Sequence, residues 1–431
     1  MSTKDCKNKS TVFVDRISNL PKNVIECILM CLPMRDAVQT SILSRDWRYS
    51  WSSIPQLTFN SIEFPMPDQT NAELWQECHR RLVKIIDHVL LLHRGPIHKF
   101  ELSVDMKSSG DLDRWILFLS RNGIREIIIE SLTGVEFMLH SCIFSCEGIT
   151  HLRLQQCIFN PPPNFTGFPN LRSFYLSHDE ISQDKLEVFI TLCPHLEKLE
   201  IGYYMCGCSR LKVCSASLLE FFYEGKYMHL FFENTPMLAS LRVMFHEVNY
   251  EEGAPSSPNY ELFDALDNLL GIEKLILDLY TLKVWAISDV PANRRMAYNL
   301  KHLSVDMNLD AKKEVSTLFL LFRSCPFLSS LNIQVFTSNI DDGISAQDFW
   351  DEQEGLDNLF WHLRSVDLTS LIGRGIMGNR SELMFIKFVL ANARDLHTLY
   401  VKCCEDLDID ILKEMLKFRR MSTKAQIILE N

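Results

Sequence analysis

No stretch of the 431 residues approaches the uninterrupted apolar length that crosses a bilayer, and the opening segment MSTKDCKNKSTVFVDR holds no apolar core of the kind a secretory leader carries. Positive charge is also scarce: 44 Lys and Arg stand against 55 Asp and Glu, a formal net charge of −11. A chain this acidic repels phosphate backbones, which argues against nucleic acid as a partner. Paired carboxylates, a nucleophile beside a base and a P-loop are all missing, so no catalytic residue and no cofactor are expected. The expected compartment is the nucleus or cytoplasm, with no membrane partner. There the 14 cysteines read as reduced thiols rather than a disulfide framework. The C-x-x-C spacing of zinc sites is absent where cysteines are densest, at Cys206-Gly-Cys208 with Cys214 and His195 nearby, so no metal is expected.

What the chain has is globular composition, 47% hydrophobic and 23% charged, in a length beyond one ordinary domain. It also repeats itself. An apolar frame L-x-x-L-x-L, with Ile, Val, Phe or Tyr substituting, starts at Ile97, Ile124, Ile149, Leu171, Leu196, Leu218, Leu238, Ile272, Leu300, Leu328, Leu363 and Leu396. The steps between starts are 27, 25, 22, 25, 22, 20, 34, 28, 28, 35 and 33 residues, mostly in or near the leucine-rich-repeat period. Within each frame the last three positions alternate apolar, any, apolar, as a strand with one buried face requires. Pro169, Pro194, Pro236 and Pro326 each lie two residues before a first Leu, where proline ends a return helix and releases the strand. Asp184–Ile190 is expected to be such a helix. Cys157 and Cys404, three residues past the last apolar position, and Cys193 and Cys325, just before prolines, read as structural.

Residues 15–60 are different. Pro21 suits a first helical turn, and Val24, Ile25, Ile28, Leu29 and Leu32 follow at helical spacing until Pro33. Asp36 with Gln39 predicts a capping box for a second helix carrying Ala37, Val38 and Ile42. Ser44 predicts the cap of a third, with Trp47 and Trp51 one turn apart on one face. Three helices in some forty residues cannot bury this much apolar surface among themselves. The module is therefore expected to complete its core against another protein.

The segment DRISNLPKNVIECILMCLPMRDAVQTSILSRDWRYSWSSIPQLTFN resembles the F-box of the plant F-box/FBD/leucine-rich-repeat proteins. The likeness continues in LLHRGPIHKFELS and LDRWILFLSRNGIREIIIE. It closes in SELMFIKFVLANARDLHTLYV and ILKEMLKFRRMSTKAQIILE, which are similar to that family's C-terminal FBD segment. Arg394 stands where the family pattern commonly has proline. The resemblance implies an α/β fold: a small helical F-box followed by a leucine-rich-repeat solenoid with parallel strands on the concave face. Its domains would be a tail at 1–14, the F-box at 15–60, a linker and helix at 61–96, repeats at 97–355 and the FBD segment at 356–431. It implies a non-catalytic substrate receptor, bound to a Skp-type adaptor and through it to a cullin, that holds an unknown protein target. Adaptor contacts would fall on Leu20, Pro21, Ile25, Ile28, Leu32, Val38, Leu43 and Trp47, some of which must face inward.

Three other signals compete with or extend that reading. Gly373-Arg-Gly375-Ile-Met-Gly378 spells the dinucleotide pattern G-x-G-x-x-G, with Asp395 at about the ribose distance, but its preceding strand belongs to the repeat register. The insertions 247–264 and 341–357 carry five and seven carboxylates and no Lys or Arg. Solvated loops explain them adequately. As a target-binding loop, the second would use Phe349 and Trp350 as anchors. A repeat-based small-molecule sensor is the main alternative function, and a nucleotide-binding enzyme a remote one.

Overall fold

The computed structural model describes residues 17, 20–67, 71–104, 109–131, 137–139, 141–178, 181–204, 210–246, 266, 269, 271–285, 299–336, 360–370, 380–402 and 409–430. The acidic insertions, the Gly373 loop, Cys206, Cys208, Cys404, Phe349 and Trp350 lie outside the described residues. Two compact units divide the chain, residues 1–157 and 158–431.

The first unit opens with α1 (Lys22–Met30) and α2 (Met34–Gln39). Proline precedes each, where its missing amide is no loss. The expected capping box is not formed. Helix α2 begins at Met34, so Asp36 sits inside its first turn, favourably placed against the helix dipole but not as the cap. The expected third helix is instead a series of turns ending in a 3-10 segment, Ser50–Ser53. Ser44 does accept the Trp47 amide, at 3.4 Å, and Trp47 and Trp51 are both buried, but no α-helix is propagated from that turn.

Strand β1 (Gln56–Asn60) follows and pairs in parallel with β2 (Lys99–Ser103), which pairs with β3 (Glu126–Glu130) and that in turn with His151–Gln155. The sheet thus starts one strand earlier than the frames predict, inside the stretch read as F-box. Ile54-Pro-Gln-Leu57-Thr-Phe59 is itself a frame, and its three apolar residues are buried. Helix α3 (Ala72–Leu92), capped by Asn71 accepting the Leu74 amide, packs Trp75, Leu82, Ile86, Val89 and Leu90 inward. Trp115 on α4 (Ser109–Ser120) donates its indole N–H to Asp87 of α3 at 2.7 Å, satisfying a buried polar group.

In the second unit, Ser173–Ser177, Lys198–Tyr204, Glu220–Gly225, Ser240–Phe245, Lys274–Leu277, His302–Met307, Ser330–Val335, Ser365–Ser370, Thr398–Lys402 and Gln426–Glu430 pair in parallel, each with the next. Every frame start in the chain, from Ile97 to Leu396, is buried, and each frame's second half forms a strand. Parallel neighbours in register line up equivalent positions, so inward residues such as Leu199, Phe221, Leu241, Leu275, Leu303 and Leu331 stack under the sheet. Aromatic groups fill the layer behind them. Phe159 and Phe174 meet Phe189 at 5.1 and 4.6 Å, and Phe322 and Phe388 meet Phe360 at 4.7 and 5.9 Å.

Return segments differ between repeats. Helices lie at Gln183–Thr191, Lys312–Ser324 and Arg380–Asn392, and the first two end just before Pro194 and Pro326 as expected. The short steps from Leu196 to Leu238 hold Arg210–Cys214 and His229–Glu233, a parallel pair of strands, so the segment before Pro236 is not helical. An extended residue advances about 3.3 Å against 1.5 Å in a helix, so only extended backbone makes the return in few residues. Before Pro169 the backbone is irregular. Gly167 is required there: its φ is 96°, and a Cβ would land on the Leu192 carbonyl. The strands continue through the segment similar to FBD, where Arg394 lies 5.8 Å over the Trp361 ring beyond the end of helix Arg380–Asn392.

Burial pushes the thiol of Cys193 up to about 11 and those of Cys146 and Cys325 up to about 12. Among the described residues the cysteines form no disulfide, and of the nine only Cys27 and Cys31 are exposed. Alkylation of the native protein at pH 8 is therefore expected to label Cys27 and Cys31 and to spare Cys157, Cys193 and Cys325 until denaturant is added. Peptide mapping that finds a disulfide among the last three would contradict the structure.

Candidate functional site: the open face of the N-terminal helices

Helix α1 is apolar on two sides. Ile25 and Leu29, one turn apart, are buried against the module's own core, together with Ala37, Trp47 and Trp51. Val24, Ile28 and Leu32 are also a turn apart, but each is left about one-third exposed, at 37%, 37% and 36%. Ile42 and Leu43 in the following 3-10 turn are more open still, at 86% and 57%. A helix pays a hydrophobic cost for such a stripe, of order 1 kcal/mol for each half-open aliphatic side chain, unless something covers it.

The eight residues singled out from the sequence therefore separate. Ile28, Leu32 and Leu43 are exposed, Pro21 is exposed beside them, and Leu20 and Val38 are half-buried. Ile25 and Trp47 belong to the core: Trp47 is 2% exposed and donates its indole N–H to the Ile17 carbonyl at 3.2 Å. Val24 and Ile42 join the open face without having been among the eight. The spacing Val24, Ile28, Leu32 is a visible signal for the first, whereas nothing local marks Ile42. Charge on this face is light, with Lys22 and Glu26 paired at 3.9 Å along α1. Such a surface pair contributes little. The face thus offers contact area rather than chemistry.

The outward row of strands in the second unit is more polar. Tyr203 is stacked between His178 and His246, at 4.3 and 4.6 Å. Glu224 lies beside them, 3.9 Å from His246, and its hydrogen bond with the Tyr203 hydroxyl holds that phenol above its ordinary range. Burial, reinforced by the charge of Asp278 and only partly offset by Arg242, pushes the Asp306 carboxyl up to about 6. Arg242 in turn covers the Phe222 ring at 4.8 Å. Among the described residues no cluster of His, Cys, Asp or Glu has the grouping of a metal site, and no helix is long and apolar enough to cross a membrane.

Sequence comparison agrees with this division. The F-box domain profile matches residues 17–57, and the profile described as FBD-associated F-box protein At5g56370, LRR repeats, matches residues 112–333. F-box/FBD/LRR-repeat protein At1g13570 of Arabidopsis thaliana is 34% identical over 424 residues, spanning 96% of this chain and 98% of the relative. The chain belongs to the F-box/FBD/LRR-repeat family. F-box/LRR-repeat protein 13 of the same plant is 27% identical, over 99% of this chain and 98% of its own length. FBD-associated F-box protein At4g10400 is 25% identical, over 96% and 98%. The exposed apolar residues Val24, Ile28, Leu32, Ile42 and Leu43 all lie within the segment matched by the F-box profile, and the buried strand residues are the leucines of the repeats.

Proposed function

We propose that this F-box/LRR-repeat protein is the substrate-recognition subunit of a Skp–cullin–F-box ubiquitin ligase. The observation that carries the reading is the open apolar stripe on α1, in a module whose own core already uses Ile25, Leu29, Trp47 and Trp51. A Skp-type adaptor covering Ile28, Leu32 and Leu43 would remove that surface from water and tether the chain to a cullin. The receptor itself supplies no acid, base or nucleophile. It raises the effective concentration of a target lysine near the charged ubiquitin-conjugating enzyme, which is where proximity gains its rate. The test is reconstitution: the full chain mixed with a Skp-type adaptor is expected to elute as a one-to-one complex. Separate elution at micromolar concentrations would overturn the proposal.

Target recognition is assigned to the repeats, with Phe349 and Trp350 of the acidic segment 341–357 as anchors. Like-charged carboxylates repel one another, so this segment gains affinity only by meeting positive charge. Replacing 341–357 by a Gly-Ser link is expected to leave the melting temperature nearly unchanged, because loop length costs little. Target capture should weaken, most of all at low salt where attraction is least screened. Capture that survives with its salt dependence intact would move recognition to the outward strand residues.

A further inference from the structure

Beside the open stripe, the first unit contains a recess of about 830 Å³ between α2, the turns leading to β1, the turn after β1, and α3. Its walls are mostly apolar, from Met34, Val38, Trp51, Phe64, Ile85 and Val89. Three cationic side chains, Arg35, Arg48 and Lys84, and the imidazole of His88 stand around it, against one lining carboxylate, Glu63. Glu63 accepts the Arg35 amide at 3.4 Å in the first turn of α2, and burial raises its carboxyl above the usual range; one carboxylate does not balance the three cations of the rim.

The charge pattern runs against the rest of the molecule. Several basic side chains elsewhere are matched, Arg114 with Asp87 and Asp111, Lys99 with Glu101 and Glu126, and Arg153 with Glu130, whereas those around the recess are not. Along α3, Glu77 pairs with Arg80 and Arg81, a turn before Lys84. Among the described residues, Arg35, Arg48, Lys84 and His88 form no ion pair. Arg94 adds further positive charge close by, 5.0 Å over the ring of Tyr49, which also lines the recess. In a chain of net charge −11, unpaired cations gathered around an apolar hollow create a local field favouring anions.

We infer that this recess is a binding site for a small organic anion, an apolar body carrying a carboxylate, sulfonate or phosphate. The volume falls in the range of small-molecule pockets, roughly 300–1,000 Å³, and the lining has their composition, apolar walls with a few converging polar groups. The apolar body would lie against Val38, Phe64, Ile85 and Val89, and the anionic end would meet Arg48 and Lys84. The site is distinct from the stripe Val24, Ile28 and Leu32. Val38, to which family resemblance gives an adaptor role, lines the recess.

Fluorescence titration of the full chain with anilinonaphthalene sulfonate tests this. It is carried out in the Ile28→Asp/Leu32→Asp background, so that the open stripe does not capture the probe. One saturable site is expected, emptied by decanoate but not by decyltrimethylammonium. Arg48→Glu/Lys84→Glu should weaken it about tenfold or more, since two attractions become repulsions. If that variant melts early, Arg48→Gln/Lys84→Gln is the substitute, with the same direction expected. Equal displacement by the cationic and anionic amphiphiles, or affinity unmoved by the charge changes, overturns the inference. A further arm uses the wild-type chain saturated with adaptor, where the probe should still bind. Complete exclusion by adaptor would show the recess to be part of the adaptor interface and not a ligand site. Adaptor binding is read separately, so failure of the ligand site leaves the proposed receptor function standing.

Discussion

Replacing Ile28 and Leu32 by Asp is expected to abolish capture of a Skp-type adaptor by the full chain while leaving the repeats folded. Both side chains, Ile28 on α1 and Leu32 just past its end, are about one-third exposed and make no part of the buried set Ile25, Leu29, Ala37, Trp47 and Trp51. Cost to the free protein is therefore small, since surface substitutions away from the core usually move stability by about 0.5 kcal/mol or less. In the complex two carboxylates would be driven into an apolar contact. An unpaired buried charge costs several kcal/mol, which corresponds to a loss of roughly a hundredfold or more in affinity. The matching control is Ile25→Asp, which should unfold the F-box itself and be visible as loss of tryptophan burial at Trp47 and Trp51. Undiminished pull-down by the Ile28/Leu32 variant, with circular dichroism unchanged, would sink the adaptor assignment.

The second large effect concerns pH. Glu382 sits in the first turn of helix Arg380–Asn392, 2% exposed, and among the described residues its Oε2 has no hydrogen-bond partner. Burial, and secondarily the charge of Asp310, push its carboxyl up to about 8 from an ordinary 4.5. A folded state whose acid holds its proton more tightly than the unfolded chain gains stability at low pH. That gain is fully present below 4.5 and is lost as pH rises towards 8. The slope between those limits approaches about 1.4 kcal/mol per pH unit. Glu382→Gln keeps the shape and cannot ionise, so its stability should lack this slope. It should exceed wild type at pH 8 and converge with it near pH 4.5, in denaturant melts that follow the second unit. Parallel wild-type and variant curves across that window would show that the carboxyl titrates normally in the folded protein.

Much of the architecture was written in residue types. Leu, Ile, Val, Phe and Tyr at L-x-x-L-x-L spacing are enough to place a strand with one buried side, because the two-residue alternation has only one way to face a core. Repeat length does not by itself fix the return, since the two steps of 25 residues after Ile124 and Leu171 hold a 3-10 segment and an α-helix respectively. The first strand was missed because Ile54-Pro-Gln-Leu57-Thr-Phe59 directly follows the F-box turns, and its frame was read as the end of that module. The nominal third helix was misjudged for a related reason: a cap and two tryptophans one turn apart are local signals, and a turn followed by a 3-10 segment buries the same rings.

The candidate site shows where sequence stops. Val24, Ile25, Ile28, Leu29 and Leu32 are all apolar at helical spacing, so the helix is fixed by its residues, but its inner side is not. Periodicity identifies two stripes, and only packing against Trp47, Trp51 and Ala37 selects Ile25 and Leu29 as the inner one, leaving Val24, Ile28 and Leu32 outside. The recess is wholly a product of tertiary structure. Arg35 belongs to α2, Arg48 to the turns that follow, and Lys84 and His88 to a helix some forty residues on, and each alone is an ordinary surface side chain. Residue types determined the repeat register, the strands and the buried leucines, because these follow from local alternation. The exposed stripe and the cationic recess were decided by the packing of elements distant in the chain, which no local pattern encodes.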